Sequence, residues 1–416
     1  MYRFDNMTFI RNGKVKIILD CIFAYLPFFV SFLLIFNIPE TKYIWSRAVI
    51  FSIVYLFFFN FNSYSTEIKN KIYLIVPLLI FCLYLFFMQY YNGGSSSFPR
   101  TLCYVILYFI ALPSRLVKPH VLKYILVFGA LLSGLAGLYE FFILGNTRIG
   151  FHVLNPIPIS FYFGLLLIFI VWLFSESYKK NNVLCFLSIV SGLLLFTCII
   201  LTETRASWMA LFFVSLSCIL YATFNSKFKN KRVYLSSVLA VIIAFGWSIP
   251  IVHNRIYSAY HQIEQYKNDK YNSSTGIRIK LWQAGLDMAK QAPLLGLHRV
   301  DVQRISNAKI QEGEYPKFLR SFLIHPNPNF HNQYVQNLVN SGFIGLLFLI
   351  AFIFLPILVS IKTKKGNTML MSFSIIQFSL ISLFFDSVFL YSHVVIFYCS
   401  IIMVIYYLSC GDYEKK

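Results

Sequence analysis

Charged residues are scarce in this chain, and the motifs of the common soluble enzyme classes are missing. Only 12% of its 416 residues are Asp, Glu, Lys or Arg, about half the share of an ordinary soluble domain. The sequence has no H-E-x-x-H zinc motif, no G-x-x-x-x-G-K-[ST] phosphate loop, no G-x-G-x-x-G fingerprint and no Asp-x-Asp pair. A nucleotide triphosphate, a dinucleotide cofactor, or a nucleotide sugar held through a divalent metal is therefore not expected. We predict neither a metal site nor a cofactor.

Paired cysteines are also missing. The chain has eight cysteines, no C-x-x-C pair, and each cysteine lies inside or at the end of an apolar run. Neither a zinc site nor a disulfide framework is indicated.

Apolar residues, in contrast, are abundant. They make up 58% of the chain, and the mean hydropathy is +0.67. A membrane-spanning helix needs about 20 consecutive apolar residues. Runs of that kind predict an all-α integral membrane protein with about twelve transmembrane helices, at 17–37, 44–61, 72–90, 101–117, 121–144, 153–174, 183–201, 205–224, 233–252, 343–361, 368–386 and 390–408.

The charges that remain are mostly positive, with 36 Lys and Arg against 16 Asp and Glu. Short cytoplasmic loops of membrane proteins keep positive charge. Of the Lys and Arg in the termini and the short connections between the predicted spans, twenty lie on the side of the N-terminus and five on the other side. We therefore expect a multi-pass protein of the cytoplasmic membrane with both termini in the cytoplasm. Lipid headgroups and anionic substrates are better partners for this charge than nucleic acid.

One long connection interrupts the pattern. Residues 253–332 form a segment of about 80 residues on the outer side, with eleven Lys or Arg and six Asp or Glu. The predicted organisation is thus a nine-helix portion at 1–252, a large outer loop at 253–332 and a three-helix portion at 333–416. These three parts are expected to form one integrated membrane domain.

Three clusters of polar residues fall on the outer side. The first, Thr-Glu-Thr-Arg-Ala-Ser-Trp at 202–208, separates two spans so closely that it must lie at the membrane interface. An arginine there usually moves its charge toward water or pairs with an acid. Arg205 could therefore hold a substrate phosphate, or it could simply pair with Glu203 or a lipid headgroup in a tight hairpin.

The second cluster, Ser-Thr-Gly-Ile-Arg-Ile-Lys-Leu-Trp at 274–282, predicts the start of a surface helix. The free N–H groups of a helix N-terminus and a nearby guanidinium, here Arg278, suit a phosphate. The alternative is an ordinary interfacial helix that Trp282 anchors.

The third cluster runs from Asn329 to Gly342 and leads into the tenth span. We predict a helix from His331, with His331, Val335, Leu338 and Gly342 on the face toward the bundle. A buried histidine can act as a general base, although a lone histidine is more often a structural hydrogen-bonding group. His298 and His325 in the same loop are rivals on composition alone.

Taken in order, these clusters resemble the O-antigen ligase and O-antigen polymerase superfamily. The similarity covers roughly 140 residues and rests on Thr-Arg-Ala-Ser-Trp at 204–208, on Gly276, Arg278 and Trp282 with Pro-Leu-Leu-Gly at 293–296, and on His331-Asn332 with Leu338, Gly342, Ile344 and Gly345. Within the superfamily, this chain is most similar to the ligases, because it has a single large outer loop whereas the polymerases usually have two sizeable loops. Asn340 departs from the pattern, since many members carry an acid before the glycine.

The resemblance implies a C-type glycosyltransferase architecture and an inverting, metal-independent transfer. O-antigen would move from undecaprenyl diphosphate to the terminal core sugar of lipid A-core, at the periplasmic face of the inner membrane. Arg205 and Arg278 would be the essential arginines, which hold the diphosphate, and His331 the essential histidine.

Two other functions remain open at this point. An O-antigen polymerase would share the clusters. A flippase or transporter of lipid-linked oligosaccharide would be expected to carry its charges near the middle of the bilayer, whereas the clusters here lie at the outer ends of the spans.

Overall fold

The computed structural model describes residues 13–60, 64–150, 156–224, 249–363 and 366–410. Within these ranges the chain is helical, with turns and loops and no β-strand. The longer elements are fifteen α-helices, α1 to α15 in chain order: Gly13–Phe29, Thr41–Asn60, Tyr64–Asn92, Ser97–Ala111, Pro119–Phe142, Pro156–Ser177, Asn182–Leu201, Arg205–Phe224, Ile249–Lys267, Ser274–Ala289, Arg299–Gln311, Arg320–Leu323, Gln333–Thr363, Gly366–Phe385 and Ser392–Cys410.

Ten of the described helices are long and apolar enough to cross a membrane, which confirms the predicted all-α integral membrane fold. They correspond to ten of the twelve predicted spans. An eleventh, predicted at 101–117, is the shorter apolar helix α4, with 15 residues. The twelfth, predicted at 233–252, lies almost entirely outside the described residues.

The helices pack around α6 and α15, which are buried along almost their whole length. Both sequences are apolar on every side, as expected for helices that face other helices all round. Several peripheral helices instead leave large side chains such as Phe58, Leu83 and Phe186 exposed, in the way that a lipid-facing surface requires. None of the seven cysteines whose side chains are described forms a disulfide with another of them.

Two groups of helix ends lie at opposite ends of the bundle. At one end, Lys16 donates to the carbonyl of Phe59 (3.2 Å), and Arg115 donates to Asn60 (3.0 Å). At the other end, Asn92 at the end of α3 donates to the backbone carbonyls of Leu295 (2.7 Å) and Asn340 (2.8 Å). Which compartment each end faces stays a prediction, as does the division of the chain at 252 and 332.

The second of these ends, called here the site end, carries a small apolar core of its own. Helices α10, α11 and α12 pack with the first turns of α13, and their buried residues include Leu281, Met288, Leu323, Phe330 and Val339. Leu281, Ala284 and Met288 all lie on the buried face of α10. This face holds α10 against α13, so α10 is more than a helix lying on a lipid surface.

Candidate functional site

Arg205 is the first residue of α8 and lies at the tip of a tight hairpin with α7. The turn is closed by Trp208, whose indole N–H donates to the carbonyl of Ile199 (3.2 Å), and by Glu203, which has φ 51°. Ser207 forms a 2.7 Å hydrogen bond with Ser160 of the central helix α6. The motif that opens the eighth predicted span therefore positions Arg205 at the site end.

Arg205 does not pair with Glu203, so the pairing considered in the simple hairpin interpretation is wrong. The carboxylate of Glu203 instead accepts a hydrogen bond from Arg255 of α9 and lies 3.8 Å from Nε of Arg148. Arg148 also donates to the carbonyl of Thr202, at 2.8 and 3.0 Å. With Glu203 occupied by these two arginines, the guanidinium of Arg205 is available for other partners.

The partner of Arg205 is Gln262 of α9. Its amide oxygen accepts from Arg205 (3.1 Å) and from the hydroxyl of Thr275 (2.7 Å), which lies in the first turn of α10. One side chain thus joins the beginning of α8 to the beginning of α10. Arg278 follows on α10, where its Nη1 donates to Ser274 (2.8 Å), while its buried Nε has no hydrogen-bond partner among the described residues.

This end of the bundle thus holds four arginines that are close enough to interact electrostatically: Arg148, Arg205, Arg255 and Arg278. Burial, and after it the positive charges of Arg255, Arg278 and Arg205, lower the pKa of Arg148 to about 10. Burial also lowers the pKa of Arg278. All four nevertheless remain protonated at neutral pH.

Among the described residues, four guanidinium groups at this site lie near two carboxylates, those of Glu203 and Asp386. Such an excess of partly buried positive charge is costly without a counter-charge. The site is therefore suited to an anion with several oxygen atoms, and the planar guanidinium forks match a phosphate.

Asp386 is the residue that the sequence analysis missed. It follows α14, is fully buried, and its Oδ1 lies 2.9 Å from Nδ1 of His331. Because an ionised carboxylate can only accept hydrogen bonds, His331 donates from Nδ1, and Nε2 is left as the basic nitrogen. The other oxygen of Asp386 has no partner among the described residues, and its charge acts on Arg278.

His331 does not begin a helix, and the prediction that it shares a helical face with Val335 and Gly342 is wrong. Its backbone has φ 48°, and α13 begins two residues later at Gln333. The physical reason is Asn332, whose side chain accepts from the N–H groups of Tyr334 (2.9 Å) and Val335 (3.2 Å) and so caps α13. A left-handed backbone at a non-glycine residue costs of order 1–3 kcal/mol and is typical of functional sites.

Helix α10 holds His331 from the other side. The indole N–H of Trp282 donates to the carbonyl of His331 (3.3 Å), so Trp282 contacts the site and is not only a headgroup anchor. A side chain at Gly285 would come within 2.3 Å of Val335 and 2.9 Å of Phe330. The close approach at this glycine packs α10, which carries Arg278, against the segment that carries His331.

The Pro-Leu-Leu-Gly motif at 293–296, which follows α10, is joined to α13 by backbone hydrogen bonds. Helix α13 is interrupted at Gly342 (φ 61°, ψ −164°). There the carbonyls of Pro293 and Leu294 accept hydrogen bonds from the N–H groups of Phe343 (2.7 Å) and Ile344 (3.3 Å). Because a Cβ at Gly342 would lie 2.2 Å from Leu294 backbone atoms, only glycine fits at this crossing.

The two rival histidines have structural contacts. Nδ1 of His298 accepts from the N–H of Val300 (3.2 Å) at the start of α11, and Nδ1 of His325 accepts from the N–H of Asn327 (3.1 Å). Neither is paired with an acid in the part of the chain that the structure describes. Within the described ranges, no group of three or more His, Cys, Asp or Glu side chains is arranged to hold a metal ion.

The sequence of the chain is similar to those of known proteins. The sequence model of the O-antigen ligase family matches residues 190–350, a range that contains Arg205, Arg278 and His331. The chain is 26% identical to the O-antigen ligase of Escherichia coli K12 in an alignment 333 residues long that covers 76% of each protein. It is 24% identical to an uncharacterized protein of Haemophilus influenzae in an alignment 356 residues long that covers 81% of this chain and 84% of the relative. The resemblance to the O-antigen ligase family predicted from the sequence is confirmed.

Proposed function

We propose that this chain is an O-antigen ligase. It would transfer O-antigen polysaccharide from undecaprenyl diphosphate to the terminal core sugar of lipid A-core, at the periplasmic face of the inner membrane. The similarity to the O-antigen ligase family supports the general activity, a glycosyl transfer with lipid-linked polysaccharide and lipid A-core as partners. The observation that carries the specific proposal is the excess of arginines next to the pair of His331 and the fully buried Asp386.

The arginines fit the leaving group of such a transfer. As the bond between C1 of the sugar and the phosphate oxygen breaks, negative charge grows on the lipid diphosphate. Arg205 and Arg278 would bind that diphosphate through their guanidinium forks, and Arg148 and Arg255 would add positive charge behind them. Stabilisation of a developing charge by fixed donors in a partly buried site is usually the largest single contribution to catalysis.

The histidine fits the acceptor. A hydroxyl of the core sugar attacks C1 from the face opposite the leaving group, which inverts the configuration at C1. Its proton passes to Nε2 of His331, while Asp386 holds Nδ1–H and stabilises the imidazolium that forms. The new bond joins C1 to the acceptor oxygen, and the lipid diphosphate leaves with the electrons of the old bond.

The lipopolysaccharide of a deletion strain tests this function. We expect a gel of surface lipopolysaccharide to lose the whole O-antigen ladder, while lipid-linked polymer is retained in the membrane. A ladder replaced by a single-repeat band would identify a polymerase, and retention of the full ladder would contradict both. Complementation with the wild-type gene is the control.

Chelation tests the metal-independent mechanism. Because the arginines supply the positive charge that a divalent cation supplies in many transferases, purified protein should transfer at its full rate in excess EDTA. Transfer from the lipid-linked donor to lipid A-core is measured with and without the chelator. Loss of transfer in EDTA, with recovery on addition of Mg²⁺ or Mn²⁺, would contradict the mechanism.

A further inference from the structure

A polar pocket, separate from the arginine cluster, lies beside the first turns of α13 at the site end. Its walls come from the end of α3, the start of α4, the segment around Leu297, the loop at 327–328 and the turn after α14. Seven of its twenty lining residues are Asn or Gln, three are Ser, one is Arg299, and none is acidic. Phe98 and Phe389 supply apolar surface. The mechanism above uses none of these side chains.

In two of the amides, one buried polar atom has no hydrogen-bond partner among the described residues. Oε1 of Gln89 and Nε2 of Gln336 form no hydrogen bond within the part of the chain that the structure describes. Gln336 as a whole is only 2% exposed. A buried polar atom without a partner is destabilising, so a ligand that accepts from Gln336 and donates to Gln89 would remove that cost.

The surrounding amides are held in place by the protein. Gln333 donates to Asn337 (2.8 Å) and accepts from the N–H of Phe389 (2.9 Å). Asn92 is fixed by its two bonds to backbone carbonyls. The pocket is therefore preorganised, which lowers the entropy lost when a ligand binds.

The chemistry of the pocket matches a sugar. Each carboxamide offers both donors and acceptors, as each sugar hydroxyl does, and the phenyl rings can cover the apolar face of a pyranose. A single guanidinium and no acid are too few charges for a nucleotide or a diphosphate. The pocket also adjoins the catalytic segment, because Oε1 of Gln336 accepts from the N–H of Phe330 (3.1 Å), next to His331.

We infer that this pocket binds a pyranose of one of the two saccharide substrates beside His331. The inference rests on the proposed function, since it takes its ligands from that reaction. The sugar could belong to the core oligosaccharide or to the O-antigen, and the same hydroxyl chemistry serves both.

Titration calorimetry of the purified full-length protein tests the inference in two arms. The probes are lipid-free core oligosaccharide and lipid-free O-antigen oligosaccharide, both prepared from the host strain. We expect one of the two to bind to the wild type. Gln89→Leu and Asn340→Leu should each raise its Kd by about 3- to 10-fold, the equivalent of one lost hydrogen bond. Gln311→Leu, at an exposed position at the end of α11, is the matched control and should bind like the wild type.

Equal affinity in the wild type and both pocket variants would overturn the inference, as would absence of binding in both arms. If Gln89→Leu does not fold, Gln89→Met keeps the length and approximate shape of the side chain, removes its acceptor oxygen and should still weaken binding. The two proposals also fail separately. A protein that binds a saccharide through these residues but transfers nothing contradicts only the ligase function, and transfer with wild-type KM in both variants contradicts only the pocket.

Discussion

Replacement of Arg278 by lysine should reduce transfer on the order of 100-fold or more, while the protein still inserts and folds. Lysine keeps the charge but loses the planar fork that binds two phosphate oxygens at once. Arg205→Lys should act in the same way, because Gln262 holds its guanidinium beside the start of α10. The measurement is the initial rate of polysaccharide transfer by purified variants, supported by the lipopolysaccharide ladder in cells.

Arg304→Lys is the matched control for these variants. Arg304 lies on α11 with its side chain 76% exposed, where it pairs with Asp301. An exposed pair of this kind contributes about 0–1 kcal/mol to stability, so Arg304→Lys should transfer like the wild type. If Arg205→Lys and Arg278→Lys also matched the wild type, the two arginines would be interfacial anchors and not diphosphate ligands.

Hydropathy predicted most of the fold because a bilayer imposes a local rule. Every span must be a helix of about 20 apolar residues, and that length can be measured along the sequence. Helix α4 is the weakest case, since it has only 15 residues and ends at Ala111, and a separate short 3₁₀ turn at Ser114–Leu116 follows before α5. Nothing local in the sequence showed which helix ends meet, because that depends on packing between distant helices.

In the site, too, residues with a local sequence signal could be predicted, whereas contacts between distant segments could not. Arg205, Arg278 and His331 could be chosen because each lies in a polar cluster beside an apolar run. The pairing of His331 with Asp386 joins the start of α13 to the end of α14, 55 residues apart, and no periodicity reports such a contact. One signal was available: Asp386 is the only acid between residues 315 and 411, and an acid at the end of a membrane span usually has a function.

The helix start at His331 was placed wrongly for a local reason. Asparagine is among the most favoured N-cap residues, so the His331-Asn332 pair should have been interpreted as a histidine before a capped helix. The consequence is mechanistic. Outside the helix, His331 is held by Asn329, Asp386 and Trp282, and its orientation does not depend on the face of α13.

His331→Ala should lower the rate of transfer by about 10²- to 10⁴-fold, the range that loss of a general base produces. Asp386→Asn should also slow transfer, by up to about 10⁴-fold, because the amide no longer stabilises the imidazolium and its NH₂ group can donate to Nδ1, which leaves the proton on Nε2. The double variant should be little slower than His331→Ala, since Asp386 acts through the histidine. Rates of transfer by the three purified variants provide the measurement.

His298→Ala and His325→Ala are the matched controls. Each removes an imidazole that accepts one hydrogen bond from a neighbouring backbone N–H, so each should cost about 1 kcal/mol of stability and leave transfer unchanged. A fall in transfer in all four single variants would point to a structural role of the loop. If the effects of His331→Ala and Asp386→Asn were instead fully additive, Asp386 would act independently of the histidine, through its charge on Arg278.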